Sequence, residues 1–244
     1  QLRQGGAIPK AERFYGVGGA WRSIAALHME LKNYPLRVLQ SYSVPAKEII
    51  DLCETIADVK KRPDDLLASV SSKRAATLHF TALTLKCVLE ECGAKEFITS
   101  AHGLREGIVY ESLDPETQQF DPLLAGVATL AHTDQRQVAF SRALQNFLDE
   151  ILSVLPPVFG DDAAHERRLH EAAFILADIG AMLHPDHRSD IAKQLVLRGP
   201  YTGINHVGRV YLGLITGLRY NRKHVVEELE QSVLTPEQIE RAKT

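Results

Sequence analysis

The sequence has few cysteines and no long apolar run, and each shortage excludes a class of protein. Three cysteines, Cys53, Cys87 and Cys92, are an odd number without regular spacing. This excludes a disulfide framework, and we expect reduced thiols in the core of a cytoplasmic protein. No apolar stretch approaches the roughly 18 residues that span a bilayer. The first residues do not match a signal peptide.

A strong excess of charge is also missing. The net charge is −3, and 24% of the residues are charged, which is the average for a globular protein. A protein that binds nucleic acid or a membrane surface usually carries a clear basic excess. We therefore expect neither nucleic acid nor a membrane among its partners.

The length and the first residues suggest a part of a longer protein. The 244 residues are enough for one large domain or two ordinary ones. The chain begins with Gln1 instead of methionine, and the strand expected at 13–17 needs partner strands. We therefore expect the sequence to be a fragment.

Strand and helix patterns alternate over the first 112 residues. Strands are predicted at 13–17, 36–42 and 96–100. Helices are predicted at 20–33, 45–61 and 71–92, and Gly93 is a typical end for the last of them. Such alternation indicates an α/β domain.

The rest of the chain has a helical pattern. A polar segment bounded by prolines, 114–122, is typical of a connection between domains. Helices are predicted beyond it at about 134–155, 169–183, 189–197, 205–218 and 236–243. We therefore predict an α/β domain over residues 1–121 and an all-helical domain over residues 122–244.

Two glycine-containing motifs are the most informative features. Glycines at positions 16, 18 and 19, before Ala20-Trp21-Arg22, allow a strand to turn sharply into a helix. A helix N-terminus of this kind can hold an anion. The second motif is Gly103-Leu104-Arg105-Glu106-Gly107. In an extended segment Arg105 and Glu106 would point to opposite faces.

Together, these motifs resemble the exopolyphosphatase / guanosine pentaphosphate phosphohydrolase (Ppx/GppA) family, in the C-terminal half of its chain. The resemblance implies the C-terminal part of an actin-like (ribonuclease H-like) domain, followed by a degenerate HD-like helical domain. It implies hydrolysis of polyphosphate or pppGpp, a homodimer and Mg²⁺. The phosphate-holding loops and the catalytic acid of the family lie upstream, so we expect no catalytic residue and few Mg²⁺ ligands here.

The HD-like half departs from the metal-binding pattern that the resemblance implies. Ala177 stands at the histidine position of the His-Asp pair, which leaves Asp178, and Asn221 stands where a second histidine is often found. One aspartate cannot hold a metal tightly, so no metal site is expected. His184 and His187 with Asp186 are too few ligands by themselves, and a metal site there would need His206 and His224 to approach in space, which the sequence does not show.

The charge distribution is more informative than the total. Residues 188–223 carry one acidic residue and seven basic ones, which are Arg188, Lys193, Arg198, Arg209, Arg219, Arg222 and Lys223. Such a cluster attracts anions, and arginine suits phosphate oxygens. A solvated helix face is the plain alternative. If the protein acts on polyphosphate, these residues are candidates for binding the phosphate chain beyond the active site.

The glycine motifs supply the other candidate anion contacts, Gly18, Gly19, Arg22 and Arg105. Arg105 has two interpretations, a phosphate contact or a brace at an interdomain hinge. Trp21 is expected to fill core beside the glycine turn. The leading hypothesis is part of an exopolyphosphatase, in which this chain supplies a cleft wall and polyanion-binding helices. The alternatives are a pppGpp 5′-phosphohydrolase and a non-catalytic module for dimerisation or anion binding.

Overall fold

The chain forms two compact units in a computed structural model. The structure describes residues 8–60, 63, 65–131, 135–160 and 163–244. The first unit is Gln1–Leu113 and the second is Asp114–Thr244. The predicted boundary after residue 121 lies a few residues beyond this division. Each unit is described by itself.

The first unit places helices around a small mixed sheet. Its elements in chain order are β1 (Arg13–Val17), α1 (Gly19–Leu31), β2 (Ser43–Pro45), α2 (Ala46–Ala57), α3 (Ser72–Cys92), β3 (Glu96–Ser100) and α4 (Leu104–Glu111). The strand order is β1-β3-β2. β1 runs parallel to β3, with Gly16 opposite Thr99, and β2 runs antiparallel to it. β3 is therefore the central strand of this sheet.

The core of the first unit lies between the sheet and helices α1, α2 and α3. Ile24, Ile49, Leu85 and Phe97 are completely buried there. The Phe97 ring also explains a glycine in β1, since a Cβ at Gly16 would lie 2.7 Å from that ring. Only a residue without a side chain fits at that position. Cys53 and Cys92 are buried as expected, but Cys87 is exposed on α3, which corrects the expectation of three core thiols.

Two predictions of extended structure in this unit are wrong. The strand predicted at 36–42 is found at Ser43–Pro45, because Ser41 has a positive φ of 59° that interrupts the extended chain. The second motif is helical from Leu104, and the Glu106 side chain reaches back to the backbone of the N-cap residue Gly103. The Gly103 N–H donates to Glu106 Oε2 over 2.6 Å. Arg105 and Glu106 therefore lie in the first turn of α4 instead of on opposite faces of a strand.

The second unit consists of helices throughout its described residues. After a short 3₁₀ turn at Thr117–Gln119, the helices are α5 (Pro122–Ala131), α6 (Gln135–Ser153), α7 (Ala163–Leu176), α8 (Arg188–Arg198), α9 (His206–Tyr220), α10 (Glu228–Val233) and α11 (Pro236–Lys243). Helix α9 is the centre of the unit, since most of its residues are buried and it packs against α7, α8, α10 and α11. Nowhere in the described residues is a helix both long and apolar enough to cross a membrane.

One predicted helix in this unit ends early. The pattern predicted a helix from 169 to 183, but α7 ends at Leu176 and a series of turns follows. The Tyr220 side chain satisfies the backbone of these turns. Its hydroxyl donates to the Ala177 carbonyl over 3.1 Å and accepts from the Gly180 N–H over 2.8 Å. Asp178 therefore lies in a turn and not on a helix.

Candidate anion-binding sites

The glycine turn joins β1 to α1 as the sequence predicted. Gly18 caps α1 with a φ of +117°, a conformation that side chains other than glycine rarely adopt. Its carbonyl accepts from the Arg22 N–H over 3.1 Å. No side chain caps this helix N-terminus. Its first N–H groups therefore remain available to an acceptor from outside. Trp21 is half-buried beside the turn and stacks on Phe14, with ring centroids 5.1 Å apart.

A pocket of about 520 Å³ opens beside this turn. Its lining comes from α1, from the loop before α3 and from the start of α3, and consists of Gly19, Arg22, Ser23, Ala26, Leu27, Leu39, Ser69, Val70, Ser71 and Arg74. Among these lining residues there is no carboxylate. Among the residues that the structure describes, the pocket wall therefore combines two guanidinium groups with three serine hydroxyls and no acidic neighbour.

The two arginines are only partly committed to other groups. Arg22 Nη1 donates to the Ala101 carbonyl over 2.9 Å. Arg74 Nη1 donates to Ser23 Oγ over 3.2 Å. A guanidinium has five N–H donors, so both retain donors that can face a ligand. Arginines in this arrangement suit the oxygens of phosphate groups, which they can hold in pairs.

Arg74 is a site residue that the sequence analysis missed. It begins α3, far along the chain from the glycine turn, and only the packing of α3 on α1 brings it to Gly19. A Cβ at Gly19 would lie 3.3 Å from Arg74 Nη2, which shows how closely the guanidinium approaches the turn. No local pattern around Ser71-Ser72-Lys73-Arg74 distinguishes this arginine from a solvated one.

Arg105 does not line this pocket. It is exposed in the first turn of α4, beside the capping carboxylate of Glu106. The backbone hydrogen bond from Gly103 lowers the pKa of Glu106, since it favours the charged carboxylate. Both interpretations of Arg105, the phosphate contact and the hinge brace, stay predictions.

The basic residues of 188–223 do not form one continuous surface. Arg209 is 1% exposed and Lys193 is 2% exposed, so neither presents its charge to solvent. Arg188 is half-buried, and its Nη2 donates to the carbonyls of Leu183 and Ala181 over 3.0 and 3.2 Å. The exposed members of the group are Arg198, Arg219, Arg222 and Lys223. Anion binding by these four stays a prediction that their exposure permits.

Arg209 completes the C-terminus of α8. Its Nη1 donates to the Gly199 carbonyl over 2.8 Å, and its Nη2 donates to the Tyr201 carbonyl over 2.9 Å. The Leu197 carbonyl lies 3.3 Å from the same Nη1. The last carbonyls of a helix have no hydrogen-bond donors within the helix, and the buried Arg209 side chain supplies such donors. Its Cζ also lies 4.3 Å from the centroid of the Tyr201 ring.

The residues considered for a metal are dispersed. Asp178 Oδ2 accepts from Arg136 Nη2 over 2.7 Å, so its charge is paired within the protein. His184, Asp186 and His187 are exposed in the loop before α8. In the part of the chain that the structure describes, no three His, Cys, Asp or Glu side chains come together as a metal site. Mg²⁺ is often held by only one or two carboxylates together with water and phosphate oxygens, so the Mg²⁺ that the resemblance implies stays a prediction.

Family models cover both units and define the class of the protein. A model described as Ppx/GppA phosphatase family matches residues 6–116, and one described as exopolyphosphatase, C-terminal, matches residues 118–244. These matches define a family of phosphatases, hydrolases for which polyphosphate or pppGpp is the implied substrate. The chain belongs to the Ppx/GppA family, as its two glycine motifs suggested.

The family implies an actin-like domain followed by a helical one, and the two observed units are consistent with that order. A search of curated proteins finds no match to this chain.

Proposed function

We propose that this chain is part of an exopolyphosphatase that removes the terminal phosphate of inorganic polyphosphate. The observation that supports this most is the pocket at the glycine turn, where Arg22 and Arg74 meet an uncapped helix N-terminus and the described lining residues include no acid. A chain of phosphates carries repeated negative charge, and this pocket offers positive charge and N–H donors to it.

The reaction is the hydrolysis of a phosphoanhydride. Water attacks the terminal phosphorus, the bond to the bridging oxygen breaks, and orthophosphate and a polyphosphate shorter by one unit are formed. This chain's own part is binding and positioning, in which Arg22 and Arg74 neutralise charge on non-bridging oxygens. We propose that the carboxylate that orients the water and the ligands of Mg²⁺ lie outside the described residues. No catalytic step is assigned to the described residues.

The second candidate is pppGpp, which shares the phosphoanhydride chemistry. One feature of the same pocket favours it, since Leu27, Leu39 and Val70 add apolar wall beside the arginines. Apolar side chains can receive the face of a nucleobase, whereas a bare phosphate chain has no apolar part to bury. The two ligands therefore differ in how much they need this wall.

The test is equilibrium binding of polyphosphate and of pppGpp by calorimetry, with the unchanged chain and with Arg22→Ala and Arg74→Ala. Each change should weaken polyphosphate binding about tenfold or more, because a hydrogen bond to a charged group contributes roughly 1.5–3 kcal/mol. Lys73→Ala is the matched control, because it removes an exposed cation next to Arg74 on α3 that does not line the pocket.

The outcomes test the pocket, the choice of ligand and the absence of catalytic groups in turn. If Arg22→Ala, Arg74→Ala and Lys73→Ala weaken polyphosphate binding equally, the pocket is not the binding site. Tighter binding of pppGpp, lost on Leu39→Ser while polyphosphate binding is kept, would favour the second candidate. Binding of both ligands without release of phosphate in the presence of Mg²⁺ is the expected result. Rapid release would show that this chain carries the catalytic groups.

A further inference from the structure

A buried lysine holds together the part of the second unit that carries two exposed cations. The Lys193 ammonium on α8 lies 2.6 Å from Glu230 Oε1, 2.7 Å from Glu227 Oε2 and 3.3 Å from His224 Nε2. The ammonium donates to Glu227 Oε2 and faces His224 Nε2, and it forms an ion pair with Glu230. The side chains of Lys193 and Glu230 are 2% and 1% exposed, so this ion pair lies in the interior.

The same contacts fix the start of α10. One carboxylate oxygen of Glu230 forms the ion pair with the Lys193 ammonium, and the other accepts from the Glu227 N–H over 2.9 Å. The hydrogen bond from Lys193 lowers the pKa of Glu227, which keeps that carboxylate charged. Helix α10 is thus tied to α8 through its first turn.

His224 is held from both sides of its ring. Nε2 faces the Lys193 ammonium, and Nδ1 lies 3.2 Å from Ser189 Oγ. The pair resembles a serine–histidine dyad, but the Ser189 hydroxyl donates to the Gly217 carbonyl over 2.9 Å. Since its proton is already committed and the ring faces a cation, this arrangement is a structural clamp and not a nucleophile with its base.

The contacts among Lys193, His224, Glu227 and Glu230 are called the clamp below. A short basic turn lies between Asn221 and His224, whose backbones are both hydrogen-bonded. Asn221 ends α9 and donates its N–H to the Gly217 carbonyl over 3.0 Å. Its own carbonyl accepts from the His224 N–H over 2.8 Å. Arg222 and Lys223 lie between these anchors and are exposed. In the described part of the chain, neither of these two side chains has an ion-pair partner.

We propose that Lys193 is a positioning residue, which acts through His224 and α10 to hold Arg222 and Lys223 in place as a polyanion contact. Cations that are fixed before binding lose less side-chain and backbone freedom when an anion is bound. The turn would take a chain of phosphates, and this part of the inference rests on the proposed function. The sequence predicted Lys193 as a direct anion contact, whereas in this proposal it acts from the interior of the unit.

The test compares a variant without the clamp with one that lacks the contact. Lys193→Met combined with Glu230→Met removes both buried charges together, because Lys193→Met alone would leave a carboxylate unpaired in the interior. Arg222→Ala combined with Lys223→Ala removes the exposed cations and leaves the clamp intact. Circular dichroism establishes that both double variants are folded. Backbone hydrogen exchange over 221–230 and polyphosphate affinity at several salt concentrations are then measured.

The clamp variant should lose about tenfold in exchange protection over 221–230, and both variants should bind polyphosphate about fivefold more weakly with a shallower salt dependence. Unchanged protection and affinity in the clamp variant would overturn the inference. If only the contact variant loses affinity, the contact exists but Lys193 does not position it, which also overturns the inference. Lost protection with unchanged affinity in both variants would refute the polyanion contact and leave the pocket in the first unit to be judged separately.

Discussion

Arg22 and Arg74 in the first unit and Arg209 in the second have opposite roles. Arg22 and Arg74 each donate to few partners and face a pocket whose described lining residues include no acid. In the second unit, Arg209 is buried and donates to carbonyls at the end of α8. One arrangement leaves positive charge available, and the other uses it within the fold. A count of basic residues along a sequence therefore does not give the charge that a ligand meets.

The largest effect that separates these roles is expected at Arg209. Arg209→Ala should destabilise the second unit by about 3 kcal/mol or more, because several buried carbonyls lose their donors and a large side chain leaves a cavity. Urea unfolding followed by circular dichroism measures this. Arg198→Ala, an exposed arginine at the end of the same helix, should change stability by less than about 0.5 kcal/mol. Similar losses in the two variants would contradict the distinction.

A smaller effect is expected from pH in the first unit. His28 is buried, Nδ1 lies 2.9 Å from Tyr42 Oη, and Nε2 lies 3.3 Å from Glu48 Oε2. Burial lowers the pKa of His28, and the neighbouring Lys32 adds to this while Glu48 opposes it. The unfolded chain therefore binds more protons than the folded one below about pH 6.5, so stability should fall as the pH drops through that value.

Trp21 is the only tryptophan, so its fluorescence reports unfolding of the first unit alone. Urea unfolding between pH 7.5 and 5.5 (chosen roughly to span the ordinary histidine pKa) should show the loss. In His28→Gln the dependence on pH should be flatter. A dependence that this substitution leaves unchanged would assign the loss to other groups.

The smallest effect is expected at Asp178, whose charge is paired with the exposed Arg136. Asp178→Asn should destabilise the second unit by less than about 1 kcal/mol, since ion pairs with an exposed partner contribute little. Metal content before and after the change provides a second measurement. A bound metal that is lost on this substitution would contradict the paired role and restore the metal-binding interpretation.

The sequence predicted the bounds of helices and strands better than it predicted contacts between residues that are distant along the chain. The bounds of β1, β3 and α11 agree with the predicted ones, because glycines, prolines and apolar periodicity act locally. Helix α7 ends earlier than predicted because a tyrosine hydroxyl on another helix satisfies the backbone after Leu176. That contact depends on packing between distant segments and leaves no local trace.

The candidate sites show the same limit. Gly18, Gly19 and Arg22 were identified because a glycine turn has a local signature, and the structure places them at one helix N-terminus. Arg74 is not predicted by any local pattern, and nothing in the sequence shows that Lys193 and Arg209 are buried. Tertiary packing decides both the burial of these two side chains and the approach of Arg74 to Gly19.

The hydrogen bond from Arg22 to the Ala101 carbonyl joins the two glycine motifs, although they are far apart in the sequence. Ala101 lies two residues before Gly103, so the turn that opens α1 and the turn that opens α4 share one contact. Because the acceptor is a main-chain carbonyl, this bond depends on the arginine at position 22 and on the path of the backbone at Ala101, but not on the side chain at position 101.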